Sequence, residues 1–330
     1  MSRFFSCGML LGCLSFWLQS GLAEEPAGKL LNELRDRGEF QQALEYLDSA
    51  ATDGAVAKEF KETLQFERGM TLALGSKRQR DPSVRSAWLA DGQKALQSFL
   101  AEHPESPQAI AALQQLGNIF VEQARGLLKR SESATGAAQA KMLTESNGHY
   151  AEALAAFEKL HTTTQERLKG FPAVVQDPKR VEERERLRMD FLQARLLLAA
   201  TLEESAETHP KGSPEGVKAL TQAAESYEQT YKQYRTRLAG LYARLFQARC
   251  KQKLGKHPEA LEMFDDLLAN ADSPAALHTF KVKVVDLAID SWMVEKQYQR
   301  VLDTAGPLLD SATDDEKKTS EFEFIDLQVR

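Results

Sequence analysis

The side chains of this 330-residue chain that could do chemistry are six histidines, three cysteines and a dense run of charge from Lys179 to Arg188. His103, His209 and His257 each precede a proline, a context that marks turns and helix caps rather than metal ligation. His149 follows Gly148 and reads as part of a turn, while His161 and His278 lie in helical patterns with no second histidine or cysteine three or four residues away. A metal site from local spacing is therefore not predicted. The run Lys179-Arg180-Val181-Glu182-Glu183-Arg184-Glu185-Arg186-Leu187-Arg188 mixes carboxylates and guanidinium groups along one helix. General acid–base work needs an enclosed carboxylate with a shifted pKa, whereas mixed charges at this spacing pair on a solvated face. The same face would also suit contact with a partner. No phosphate-cradling Gly-rich loop, Gly-x-Ser-x-Gly elbow, His-Glu-x-x-His or cysteine pair occurs, so no catalytic residue, metal or cofactor is predicted.

Two of the cysteines belong to a segment of another kind. Residues 1–23 carry Arg3, an apolar run from Phe4 to Leu18, and the small residues Gly21 and Ala23 before Glu24-Glu25. The apolar run is shorter than the ~20 residues a spanning helix needs, so the pattern predicts an export signal cleaved after Ala23. Within it, Leu10-Leu11-Gly12-Cys13 resembles a lipobox, and lipidation of Cys13 would tether the chain to a membrane. Cys7 and Cys13 would otherwise leave with the signal, and Cys250 alone cannot make an internal disulfide. Export places the protein in a bacterial periplasm or cell envelope, or outside the cell.

The formal net charge is -6, or -7 once Arg3, the one charge before Glu24, is removed. A mildly acidic chain lacks the positive field that holds nucleic acid; the basic run Lys77-Arg78-Gln79-Arg80 suits the carbonyl end of a helix.

These groups are positioned by helices. Turn signals at Gly38, Asp81-Pro82, His103-Pro104, Phe171-Pro172, Asp177-Pro178, Ser213-Pro214, Gly255 and Ser273-Pro274 divide the chain into helices. They are expected at 27–37, 40–52, 55–75, 83–102, 107–130, 136–169, 180–208, 215–235, 237–254, 257–270, 275–295, 298–310 and from 315 onward. Leu277, Phe280, Val284, Leu287, Ala288 and Trp292 recur at three- and four-residue steps, and no segment sustains the two-residue alternation of a strand. The fold class is all α.

A small residue followed four positions later by a large one appears as Ala43/Leu47, Ala95/Phe99, Ala153/Phe157, Ala223/Tyr227, Ala260/Phe264 and, in weaker form, Val301/Ala305. The small residue admits a neighbouring helix and the large one fills the space beside it. Intervals of 52, 58, 70, 37 and 41 residues separate the small members. This is the pattern of a superhelical solenoid of about six antiparallel helical hairpins, some with elongated helices. It divides into N-terminal hairpins over 24–170, a long helix or irregular connection over 171–212, and C-terminal hairpins over 213–330. In the last part Phe322, Phe324, Ile325, Leu327 and Val329 read as a first helix without its partner. Either the chain continues, or residues 315–330 cap the array against Leu302, Leu308 and Leu309.

The chain resembles the tetratricopeptide-repeat family. Leu116-Gly117-Asn118-Ile119-Phe120 is similar to the family's first-helix signature. The stretches Arg37 to Leu44, Asn147 to Leu154 and Gly255 to Leu261 are similar to its turn into a second helix. The resemblance implies protein or peptide binding in a groove lined by first helices. By register from Gly255 and Ala260, the groove residues would be Tyr242, Leu245, Arg249 and Lys253 on one helix and Lys283, Asp286, Asp290 and Met293 on the next. Members that clamp a terminal carboxylate do so with a Lys/Asn/Arg set; Gln114 stands where its first Lys is expected, so that role is not implied.

The expected function is an exported, non-catalytic scaffold for protein–protein interaction. Two alternatives remain open. Phe99 to Pro107 resembles the hairpin junctions of outer-membrane assembly lipoproteins, which points to an envelope-assembly factor; the other alternative is the non-catalytic repeat arm of a longer enzyme.

Overall fold

The computed structural model describes residues 26–269 and 278–329. The expected export segment, Cys13 and the break at Ser273-Pro274 lie outside them.

The described residues form fourteen α-helices and no strand. They are α1 (Pro26–Arg37), α2 (Phe40–Thr52), α3 (Lys58–Lys61), α4 (Leu64–Ser76), α5 (Pro82–Glu102), α6 (Ala109–Ser131) and α7 (Gly136–Lys169). The rest are α8 (Pro178–Ser205), α9 (Pro214–Tyr234), α10 (Leu238–Lys253), α11 (His257–Ala269), α12 (His278–Val294), α13 (Tyr298–Ser311) and α14 (Ser320–Val329). Three of the proline signals act as helix starts. Asp81, Asp177 and Ser213 each accept a hydrogen bond from a backbone N–H of the first turn, with Pro82, Pro178 and Pro214 entering the helix where no N–H is needed.

The helices pack as six hairpins, α1/α2, α4/α5, α6/α7, α8/α9, α10/α11 and α12/α13, and α14 lies against both α12 and α13. From α4 onward, first helices also touch the first helix of the next hairpin, which makes them an inner layer and the second helices an outer one. All six small-and-large pairs are buried, one on each second helix, including Phe157, Tyr227 and Phe264 with no measurable exposure. At the end of the array Phe322, Phe324 and Ile325 of α14 join the core of α12 and α13 beside Leu308 and Leu309, while Leu302 stays on the surface.

The turns inside three of the hairpins, α1/α2, α10/α11 and α12/α13, repeat one geometry. Gly38, Gly255 and Lys296 all have positive φ, at 78°, 75° and 58°. In each case this residue and the next donate to carbonyls three and five residues back: Gly255 N to Gln252 O at 2.8 Å, and Lys256 N to Lys251 O at 2.9 Å. This is a Schellman stop, which closes the orphan carbonyls at a helix end and favours glycine at the left-handed position.

Two expectations are corrected. The helix expected over 55–75 is broken between Lys61 and Leu64, where the Thr63 hydroxyl donates to the carbonyl of Phe60 and competes with helix continuation. Asn147 to Leu154 is no turn: Gly148 and His149 lie inside the 34-residue helix α7, whose flanking residues favour helix enough to carry one glycine. Within 171–212, where a long helix or irregular connection is expected, α8 spans Pro178–Ser205 and packs on α7 and α9 as the first helix of the fourth hairpin.

Candidate functional site

Side chains of the inner helices are tied to one another by polar contacts that step along the array. Arg35 of α1 reaches Glu67 of α4 at 2.7 Å and the Thr71 hydroxyl at 2.7 Å. On α6, Glu122 accepts from Arg85 of the outer helix α5 at 2.7 Å and from Arg125 on its own helix at 2.9 Å. Arg125 in turn grips Glu204 of α8 through two hydrogen bonds of 2.7 and 2.6 Å. Gln252 of α10 donates to Leu287 O and to Ser291 Oγ of α12, at 2.7 and 2.8 Å.

The deepest of these contacts joins α8 to α10. Glu203 is fully buried and accepts from Arg249 Nε at 2.6 Å and from the terminal Nη2 at 2.8 Å. Lys253 Nζ lies 3.0 Å from Glu203 and 2.8 Å from Glu207. Burial alone would push the Glu203 carboxyl up, but Arg249 and Lys253 together outweigh it and hold the pKa at about 2. For Lys253, burial works against the charged form and Glu203 more than restores it, so its pKa is raised. The Arg249 guanidinium also stacks 4.5 Å from the Phe246 ring centre. The buried members of the cluster around this junction are Ala199, Ala223, Ala224, Ala243, Tyr227 and Cys250, with Leu196, Leu202, Tyr231 and Phe246 packed against them. Cys250 is a free, fully buried thiol, and burial followed by the Glu203 charge raises its pKa, which leaves it unreactive.

The expected groove residues fall into three groups. Leu245 and Asp286 are buried, 1% and 5% exposed, and so belong to the core instead of a surface that a partner reaches. Arg249 and Lys253 are half-buried and engaged with Glu203, and Tyr242 packs edge-on against Phe280 at 5.1 Å with Lys283 over its face. Asp290 and Met293 are exposed. The inner face at α10 and α12 is thus largely committed to holding hairpins together. Glu203, Glu204 and Arg125 were not singled out in the sequence, where each is one charge among many on a helical pattern. The charge run over 179–188 is solvated as expected, with Glu185 between Arg184 and Arg188 at 3.3 and 2.6 Å.

A cleft of about 520 Å³ opens on the opposite, outer side, between α7 and α9, with α8 as its floor. Leu154, Leu198 and Leu202 supply half-buried apolar surface, and Glu158 and Glu225 stand exposed on the α7 and α9 sides. Among the described residues no group of three or more His, Cys, Asp or Glu is arranged to hold a metal, and no helix is long and apolar enough to cross a membrane.

No protein family matches the chain, and no curated protein does. Among solved structures, the P58(IPK) TPR domain is similar over 92% of this chain and 97% of that one, with 14% identity and a TM-score of 0.27.

Proposed function

We propose that this chain is an exported, non-catalytic scaffold that binds a protein or peptide on the surface of its stacked hairpins. The observation that carries the reading is the architecture itself. Six hairpins bury their cores between neighbours and leave a long side-chain surface, and the strongly shifted groups at the α8–α10 junction are consumed in packing rather than aimed into an enclosed reaction site. The tetratricopeptide resemblance of the hairpin turns, together with Schellman stops at Gly38 and Gly255, supports the same reading. Export rests on the apolar segment before Glu24, and membrane attachment would follow from lipidation of Cys13.

The test is expression from the natural reading frame in its own or a closely similar host, followed by intact mass measurement and cross-linking of the purified species. A mass starting at Glu24 and one partner cross-linked in defined stoichiometry are expected. Retention of residues 1–23 without lipid would overturn export, and recovery of only monomer after cross-linking would overturn the scaffold reading. A lipid adduct on Cys13 would instead favour an envelope-assembly role.

A further inference from the structure

We infer that the outer cleft between α7 and α9 is a docking site for an amphipathic helix with basic flanks, an inference that rests on the scaffold reading. Three carboxylates of the inner helices are already paired: Glu122, Glu203 and Glu204 are each held by arginine. Glu158 and Glu225 are different. They stand exposed on facing walls of an apolar cleft, and neither makes a salt bridge or side-chain hydrogen bond among the described residues. They are also the two ionisable residues of the cleft lining, so the charge it offers is wholly negative. A partner that seats apolar side chains on Leu154, Leu198 and Leu202 and places Lys or Arg beside the two carboxylates would meet complementary charge without displacing an existing ion pair.

The walls and floor favour a helical occupant. All three elements are α-helices whose backbone groups are used internally, so no sheet edge is available to an extended strand. Leu198 and Leu202 are one turn apart on α8, the spacing at which another helix presents residues i and i+4. On α9 the lining runs from Gln222 to Gln229, a length of about 10 Å at ~1.5 Å per residue, which matches about two turns of a helical occupant.

The test selects a library of random 16-residue displayed peptides on the whole protein. Selected peptides are then measured by fluorescence anisotropy against wild type, the variant Glu158→Lys/Glu225→Lys, and Ala155→Trp, which fills the cleft from an exposed position of its lining. Both variants change exposed helical positions, and unchanged circular dichroism and melting confirm that they fold. The expected result is enrichment of peptides with apolar residues at i and i+4 flanked by Lys or Arg, whose affinity falls about tenfold or more in each variant. Enriched peptides that bind the variants as tightly as wild type overturn the cleft assignment and leave the scaffold reading standing. Acidic or neutral peptides whose binding Ala155→Trp abolishes but Glu158→Lys/Glu225→Lys does not overturn the basic character of the occupant. No enrichment at all overturns the cleft and counts against peptide binding altogether.

Discussion

Glu203 and Glu204, adjacent in the chain, hold opposite neighbours: Glu204 is bound by two hydrogen bonds to Arg125 of α6, and Glu203 by two to Arg249 of α10. One turn of α8 therefore pins three successive inner helices. Removing Glu203 leaves Arg249 and Lys253 facing a buried site without their counter-charge, and loss of one partner of a buried pair typically costs ~3–5 kcal/mol. Glu203→Ala is expected to destabilise by about that amount in urea unfolding. Glu204→Ala, at a site whose partners keep 13% and 22% of their side-chain surface, should cost less, and an equal or larger loss there would contradict the ranking.

The same carboxylate predicts an acid limb. Its folded pKa of about 2 lies below the ordinary 4.5, so the unfolded chain takes up the proton first as pH falls. The stabilisation is fully present above about pH 4.5 and is lost as pH drops through the interval down to about 2. The span corresponds to about 3 kcal/mol, at ~1.4 kcal/mol per pH unit. Unfolding free energies of wild type and Glu203→Gln, measured in parallel from pH 6 to pH 2, should converge by that amount; parallel curves would exclude Glu203 as the source.

Two glycines predict opposite signs for the same substitution. A Cβ on Gly117 of α6 would lie 2.3 Å from the ring of Phe157, which is fully buried on α7. Gly117→Ala is expected to cost about 1–3 kcal/mol by forcing the hairpin apart. Gly148, inside α7, has nothing within 4 Å of its Cβ position, and Gly148→Ala should stabilise by ~0.5–1 kcal/mol through helix propensity. Thermal melts of the two variants moving in the same direction would refute this account of the α6/α7 interface.

The contrast between these glycines shows what the sequence discloses. The small-and-large pairs marked all six second helices, because burial at i and i+4 leaves a pattern in residue type. Proline and Asp or Ser caps fixed helix starts to within a few residues for the same reason. Gly117 and Gly148 look alike as letters, yet one faces Phe157 and the other solvent, and only the packing of α6 on α7 separates them. Groove residues were harder still. Leu245 and Asp286 follow the register of a first helix, but which face of α10 and α12 is covered depends on the rotation between hairpins, set by long-range contacts such as Glu203 with Arg249. Charge pairs 46 residues apart leave no periodic trace.

Lys296 closes the hairpin α12/α13 in the position that Gly38 and Gly255 occupy in α1/α2 and α10/α11. Its N–H reaches Met293 O at 3.2 Å, and Gln297 N reaches Trp292 O at 2.8 Å, so the hydrogen bonds of the stop are complete. The difference is a Cβ carried at a φ of 58°, where an L-residue is strained by roughly 1–2 kcal/mol. Glycine removes that strain but adds freedom to the unfolded chain, so the net gain is smaller than the strain itself. Lys296→Gly is expected to stabilise by about 1 kcal/mol, and Gly255→Ala, the reverse exchange two helices earlier, to destabilise by a similar amount. Equilibrium unfolding of the two single variants checks both signs, and a destabilising Lys296→Gly would mean that the lysine stem contributes packing that outweighs its backbone strain.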